Sequence, residues 1–219
     1  MVTTTDRLAE SGDLATTMLA WYDRHRRHLP WRAAPGEPAD PYRVWLSEIM
    51  LQQTQVATVV AYYHRFLKRF PDLNALADAD EQEVLRLWEG LGYYRRARLL
   101  RNGAKYVMEH HKGKVPGTVE ELLKIPGIGP YTAGAIASIA FARHRPLVDG
   151  NVIRVLSRLR ALAGNAKSVK LKNKCWSVAE TLVSKNGTSF SRPGDFNQAL
   201  MELGATVCTP KRWNCGGCP

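Results

Sequence analysis

The stretch Ile125-Pro126-Gly127-Ile128-Gly129-Pro130-Tyr131-Thr132-Ala133 constrains this chain more than any other. A helix-forming run ends at a Pro-Gly, glycines flank Ile128, and a helix of small and apolar residues starts near Tyr131. Gly127 and Gly129 carry no Cβ, so an outside group can come close to the backbone there. The first N–H groups of the following helix have no partner within it, and the helix dipole favours an anion at that end. Such a hairpin is suited to gripping a nucleic-acid phosphate, although the same residues also make an ordinary interhelical turn. Val148-Asp149-Gly150-Asn151-Val152 follows. Its single carboxylate lies about five helical turns of chain further on, so grip and reactive acid can share a face.

The charge of the 219-residue chain agrees with a phosphate-bearing partner. It holds 31 Lys and Arg against 20 Asp and Glu, formally +11. That is the footprint expected of a nucleic-acid binder, and it is also compatible with a merely basic protein. No apolar run is long enough to span a membrane. Residues 1–14 lack the basic-then-apolar profile of a secretory signal and the arginine content of a clear transit peptide. The expected location is intracellular and reducing: nucleus or mitochondrion in a eukaryote, cytoplasm in a bacterium. Of four cysteines, Cys208, Cys215 and Cys218 are bunched as C-x6-C-x2-C. In a reducing compartment that bunching points to iron–sulfur or zinc ligation before disulfides. Both sites ordinarily take four ligands, and the sequence ends at Pro219 without a fourth nearby cysteine. Cys175, beside Trp176 on a helical pattern, reads as a core residue.

Apolar residues recur at helical spacing almost throughout, with hardly any strand signal. Leu14, Met18, Trp21 and Tyr22 make one face; Val56, Val59, Val60, Tyr63 and Leu67 another; Ala97, Leu100, Ala104 and Val107 a third. Thr118 with Glu121 forms a capping box before the short helix leading into the hairpin. Val152, Val155, Leu156 and Leu159 line a helix after Asp149, and Phe196, Ala199, Leu200 and Leu203 line the last one, with Gly204 as its C-cap. The pattern predicts an all-α protein of ten or so helices. The loops 33–40 and 184–193 are expected to be flexible joints.

Three further segments bear on chemistry. In Pro41 to Gln55, Glu48 lies a helical turn from Val44, Trp45 and Leu51, on or beside the apolar face. Desolvation of a carboxyl there raises its pKa and suits it to act as a general acid. The plain alternative is a boundary glutamate that reaches solvent or pairs with Arg43. The Gln52-Gln53-Thr54-Gln55 run offers amide donors and acceptors suited to base edges, or is simply a polar loop. Leu91-Gly92-Tyr93-Tyr94-Arg95-Arg96-Ala97-Arg98 interleaves aromatics with cations. These could wedge between bases and neutralise phosphates. Equally, they could be a helix start with buried tyrosines and a solvated basic face. Trp31, in Pro30-Trp31-Arg32, reads by itself as a core anchor.

Together these motifs are recognisable. From about Leu14 to Pro219 the chain resembles the adenine DNA glycosylases of the MutY family, in the helix-hairpin-helix DNA glycosylase superfamily. The resemblance is carried by Leu29-Pro30-Trp31-Arg32, Ser47 to Val56, Leu91-Gly92-Tyr93-Tyr94, Pro126 to Gly134, Val148 to Val152, Phe196-Asn197-Gln198, Glu202-Leu203-Gly204-Ala205 and the cysteine loop. It implies two helical lobes with the active site in the cleft between them. A six-helix barrel with the hairpin would take residues 35–142. Residues 1–34 with 143–219 would form a second lobe of the iron–sulfur type, ending in an incomplete cysteine loop. A C-terminal domain that reads 8-oxoguanine in relatives is absent from this sequence.

The resemblance also implies roles. Glu48 matches the acid that protonates adenine, and Asp149 the carboxylate that stabilises the sugar cation, with Tyr131 and Asn151 in support. Gln53, Thr54 and Tyr93 match residues that probe the opposite base and wedge into the duplex. Arg32, Gly127, Gly129 and Thr132 belong with the DNA contacts. Leu51 and Val56, with Trp31, match the wall of the adenine pocket. Cys208, Cys215 and Cys218 match ligands of a [4Fe–4S] cluster whose fourth cysteine is missing here. The implied activity is hydrolysis of the N-glycosidic bond of adenine opposite 8-oxoguanine or guanine, after base flipping. The implied partner is duplex DNA containing that mispair, bound by a monomer; other repair or replication partners are left open. A lysine nucleophile stands in the place of Tyr131 in the endonuclease III branch, so strand cleavage is not expected. The alternatives are an endonuclease III-like glycosylase of other base specificity and a catalytically silent DNA-binding module.

Overall fold

The computed structural model describes residues 6–34, 37–184 and 191–219. The expected joints at 33–40 and 184–193 fall partly on residues 35–36 and 185–190, which lie outside the described residues. The all-α expectation holds. The described residues form helices α1 (Asp6–His25), α2 (Pro41–Leu51), α3 (Val56–Arg69), α4 (Leu73–Asp78), α5 (Glu81–Trp88), α6 (Arg95–His111), α7 (Val119–Leu122), α8 (Pro130–Phe141), α9 (Gly150–Leu159), α10 (Val169–Ser184) and α11 (Pro193–Thr206). A short 3-10 turn, Cys215–Gly217, follows them. The one β-type pairing among the described residues is an isolated antiparallel bridge between Cys208 and Trp213. The chain divides into two compact units, Leu29–Phe141, and Met1–His28 with Ala142–Pro219.

In the 29–141 unit, α2 packs against α3, α6 and α8, while α4 and α5 pack against α6. Residues Tyr42 to Met50 of α2 are buried except Arg43. A helix apolar on nearly every side belongs inside a core. Its start is fixed locally: the Asp40 carboxylate accepts from the Arg43 N–H at 2.9 Å and Pro41 occupies the first turn. Asp72 and Asp80 cap α4 and α5 in the same way. The predicted face of α6 is buried at Ala97, Leu100, Ala104 and Val107. Thr118 caps α7 as expected, accepting from the Glu121 N–H, but the capping box is only half made. The Glu121 carboxylate instead accepts from Lys124 Nζ at 2.6 Å.

In the other unit, α11 packs against α1 and α9, and α9 against α10. The predicted faces are buried at Met18, Trp21 and Tyr22, at Val152, Val155 and Leu156, and at Phe196, Ala199, Leu200 and Leu203. Leu159 departs from its face and is 49% exposed at the end of α9. Arg27 donates to the fully buried Glu202 through Nε at 2.7 Å and Nη2 at 3.1 Å, tying the chain after α1 to α11. Such a two-pronged contact compensates a carboxylate for lost hydration.

Gly204 corrects the sequence reading. It does not end α11, which runs on to Thr206 with Val207 as C-cap. It sits inside the helix because a Cβ there would lie 2.7 Å from the Asn151 Cβ and 3.1 Å from the Asn151 carbonyl oxygen. The glycine answers to a neighbouring helix, and a local pattern carries no sign of that. Gly204→Ala is expected to destabilise the protein by about 1–3 kcal/mol through overpacking. A lowered thermal midpoint would show it; an unchanged midpoint would mean that Asn151 gives way freely.

Candidate active site and nucleic-acid interface

The hairpin has the form its residues require. Ile128 N–H closes a turn on the Ile125 carbonyl at 3.1 Å, and Ala133 N–H reaches the Gly129 carbonyl at 2.9 Å, which makes Gly129 the residue before α8. Gly127 has φ +85°, and a Cβ there would lie 2.7 Å from the Leu99 Cβ, so this position excludes side chains twice over. Around Gly129 nothing lies within 4 Å of where a Cβ would be. An outside group can therefore approach the start of α8, where helix N–H groups favour an anion. Thr132 is 2% exposed, so its side chain belongs to the core, and only its backbone can serve such a group.

In the first turn of α8, Tyr131 meets Glu48. The Tyr131 hydroxyl donates to Glu48 Oε2 at 2.5 Å. Glu48 is 6% exposed on α2, between helix faces that also bury Trp45 and Ile49. The expectation of a desolvated carboxyl is therefore met. Its phenol partner is more specific than the resemblance implied, which associated Tyr131 with the other acid. Trp31 is buried in the same unit, edge-on to Tyr63 at 5.4 Å between ring centres. Leu51 and Val56 pack half-buried against that core. Arg32 is half-buried.

The loops after α2 and before α6 are joined by Arg96, for which the sequence offered a phosphate contact or a solvated face. Arg96 is 9% exposed, whereas Tyr93 and Tyr94 are 63% and 40% exposed. The basic side chain is inside and the aromatics are outside, the reverse of the bland expectation. Arg96 Nη1 donates to the carbonyls of Ile49, Met50 and Gln52 at 2.9, 3.0 and 2.5 Å. Nη2 donates to Thr54 Oγ1 at 3.3 Å and to the carbonyls of Leu91 and Gly92 at 3.1 Å. The last carbonyls of a helix lack partners within it and favour a cation. Burial lowers the pKa of this guanidinium, but an arginine remains charged. Gln53 and Tyr93, both exposed, take left-handed backbone conformations with φ 57° and 50°. A signal for Arg96 did exist: it lies four residues before Leu100, on the apolar stripe of α6.

In the other unit, Asp149 caps α9, its Oδ1 accepting from the Val152 N–H at 2.7 Å. Asn151 Nδ2 donates to Asp149 Oδ2 at 2.9 Å. Arg154 Nη2 in turn donates to Asn151 Oδ1 and to the Gly204 carbonyl, both at 2.7 Å, and its Nε donates to the Cys208 carbonyl at 2.7 Å. Arg154, not singled out in the sequence, thus links the acid to the cysteine loop. Burial holds the Asp149 carboxyl above its ordinary range, outweighing the N–H donors and Arg154, which pull the other way.

Cys208, Cys215 and Cys218 line one cavity with Met18, Val155 and Leu203. Arg158 Nη1 donates to Cys208 Sγ at 3.3 Å and its guanidinium lies over the Trp213 ring. Thiols suit a soft metal or an iron–sulfur cluster. A [4Fe–4S] cluster takes four of them, and Cys175 is buried elsewhere, against Ser157 and Ile153. Among the described residues no set of three or more His, Cys, Asp or Glu is arranged to hold a metal ion. The chemistry of the three thiols in that cavity fits such a group. No helix among the described residues is long and apolar enough to cross a membrane.

A hairpin open at the start of α8, a buried carboxyl beside it and a second carboxyl at a helix start define a class. The chain belongs to the HhH-GPD superfamily of base excision DNA repair proteins, whose profile matches residues 46–181. Within it, the chain is similar to adenine DNA glycosylases. It is 51% identical to that of Mus musculus over 93% of this chain and 40% of the relative, and 49% identical to that of Homo sapiens over 97% and 39%. The chain thus spans about two fifths of the length of these curated relatives. Among solved structures it is similar to a thermostable thymine-DNA glycosylase, with TM-score 0.82 and 27% identity over 99% of this chain and 94% of that one. Endonuclease III in a non-covalent DNA complex shares the fold, with TM-score 0.74 and 20% identity over 100% and 94%.

Asp149→Asn keeps an oxygen that can cap α9 and removes the charge. A raised folded-state pKa means that ionising Asp149 costs more in the folded than in the unfolded chain. The variant is therefore expected to gain on the parent as pH rises through the folded pKa toward neutrality. Well below the ordinary value of 3.8, where the acid is neutral in both states, the difference should stop changing with pH. Urea unfolding across pH checks this; a variant less stable at pH 7 than the parent, relative to acid, would contradict it.

Proposed function

We propose that this chain is the catalytic region of a monofunctional adenine DNA glycosylase, which hydrolyses the N-glycosidic bond of adenine opposite 8-oxoguanine or guanine. Residues 35–142 are read as the six-helix barrel bearing the hairpin, and residues 1–34 with 143–219 as the second lobe. The observation that carries the reading is the buried Glu48 carboxyl with the Tyr131 hydroxyl donating to it at 2.5 Å. A carboxyl out of water and held in one orientation is suited to deliver a proton to a base.

Adenine inside a stacked duplex is out of reach, so it is flipped out at roughly a few kcal/mol. The start of α8 at Gly127 and Gly129, with the Thr132 backbone, holds a phosphate, and Arg32 adds a cation. Gln53, Thr54 and Tyr93 engage the duplex at the vacated position. Leu51, Val56 and Trp31 wall the pocket that receives the base. Glu48, protonated, gives its proton to a ring nitrogen of adenine. The C–N bond to the sugar then breaks, and its electron pair leaves with a neutral base. The Asp149 carboxylate, oriented by Asn151, stabilises the cationic sugar. Water adds to the anomeric carbon and gives up a proton to a carboxylate, leaving an abasic site. The Cys208, Cys215 and Cys218 loop is read as three of the ligands of a [4Fe–4S] cluster. The cluster would staple that loop, and no step of this reaction uses it. Equal iron and acid-labile sulfide in protein purified without oxygen supports that reading; folded, iron-free protein would exclude it.

Single-turnover excision on duplexes with adenine opposite 8-oxoguanine or guanine, and thymine opposite guanine, tests the substrate. Release of thymine rather than adenine would favour the activity named for the structurally similar thymine-DNA glycosylase. Glu48→Gln is expected to slow excision by about 10²–10⁴-fold while leaving duplex binding largely intact. Undiminished turnover would remove Glu48 from its role. Position 131 holds a tyrosine rather than an amine, so borohydride is expected to trap no covalent protein–DNA adduct. A stoichiometric adduct would overturn the monofunctional assignment.

A further inference from the structure

Arg96 does more than close the end of α2. Its guanidinium reaches both of the loops read above as facing the duplex. One end takes the carbonyls of Ile49, Met50 and Gln52, and the other takes Thr54 Oγ1 and the carbonyls of Leu91 and Gly92. The acceptors are five backbone carbonyls and one hydroxyl, so an inward-facing charge is met by dipoles alone. The side chain lies within 5.4 Å of the Trp88 ring centre and 5.7 Å of the Tyr93 ring centre. Directly beyond the clamped carbonyls stand Gln53 and Tyr93, exposed and left-handed. Non-glycine residues resist that conformation and hold it where the surroundings impose it. One planar fork with donors on two sides can impose it on both loops at once; a lysine ammonium cannot.

We propose that Arg96 is a positioning residue that locks the Gln52–Gln55 loop to the Leu91–Tyr94 loop, so that Gln53, Thr54 and Tyr93 meet DNA as one preorganised unit. The proposal rests on the reading of this surface as the duplex-facing one. If Arg96 acts through these loops, its loss and the loss of a loop side chain damage the same event and do not multiply. If it merely stabilises α2, the two losses multiply.

A double-mutant cycle of Arg96→Met and Tyr93→Ala decides. The readout is the dissociation constant for a duplex with adenine opposite guanine and for the matched duplex, at a temperature where each variant is folded by circular dichroism. Each single variant is expected to weaken mispair binding roughly tenfold, and Arg96→Met on the Tyr93→Ala background by less than about threefold. Multiplying losses, or wild-type affinity in Arg96→Met, would overturn the proposal. Should Arg96→Met fail to fold, Arg96→Lys carries the same cycle. It keeps a charge at the helix end and loses the two-sided fork, so binding still falls, and unchanged binding would sink the idea. A parent chain that binds mispaired and matched duplexes equally would instead defeat the functional reading itself. Loss in Tyr93→Ala without loss in either Arg96 variant defeats only this proposal.

Discussion

The hydrogen bond between Tyr131 and Glu48 depends on a packing arrangement that organises the whole 29–141 unit. The carboxyl sits at 6% exposure on α2, and α8 comes close enough to bring a hydroxyl to it. α8 comes close because its residues Ala133, Gly134, Ala135 and Ala137 are small and buried. The hairpin that sets its direction needs glycine at 127, where Leu99 leaves no room for a Cβ. The turn, the helix and the acid thus form one construction. The opening beside Gly129 and the hydroxyl of Tyr131 lie two residues apart along the chain, and the carboxyl that the hydroxyl meets comes from 83 positions away.

The second acid is held by different means. Asp149 is where α9 starts, and its carboxylate is engaged by the N–H of Val152 and the amide of Asn151. Asn151 is pinned by Arg154, and the same arginine spans the Gly204 and Cys208 carbonyls. Side-chain orientation at the helix start therefore depends on the far end of α11. That explains why a helix interior accepts glycine at 204, against its conformational preference.

Much of this was legible in the sequence, and what was not shares a cause. Helix faces, caps and the hairpin are written in short-range spacing, which the residue pattern carries directly. Glu48 could be read as desolvated because its apolar neighbours lie a turn away on the same helix. Its hydroxyl partner, 83 positions along the chain, could not be read by spacing. Gly204 was misread because a helix-terminating glycine and a packing glycine look alike locally. Spacing leaves Arg96 open between a phosphate contact and a solvated face, because a long cationic side chain is ordinarily a surface one. Its burial is made favourable by acceptors that include carbonyls 44 to 47 positions away, which local spacing does not show. Thr132 was grouped with contacts to an outside partner by its place in a motif, while its side chain serves the core.

The left-handed backbone at Gln53 and Tyr93 sets stability and recognition against each other at two neighbouring loop tips. Glycine would adopt either conformation with ease, and a search for a hardier protein would select it there. Such a molecule would keep its core and its helices and lose the side chains that project from its surface. Heat resistance gained at these loop tips would come as bluntness toward DNA.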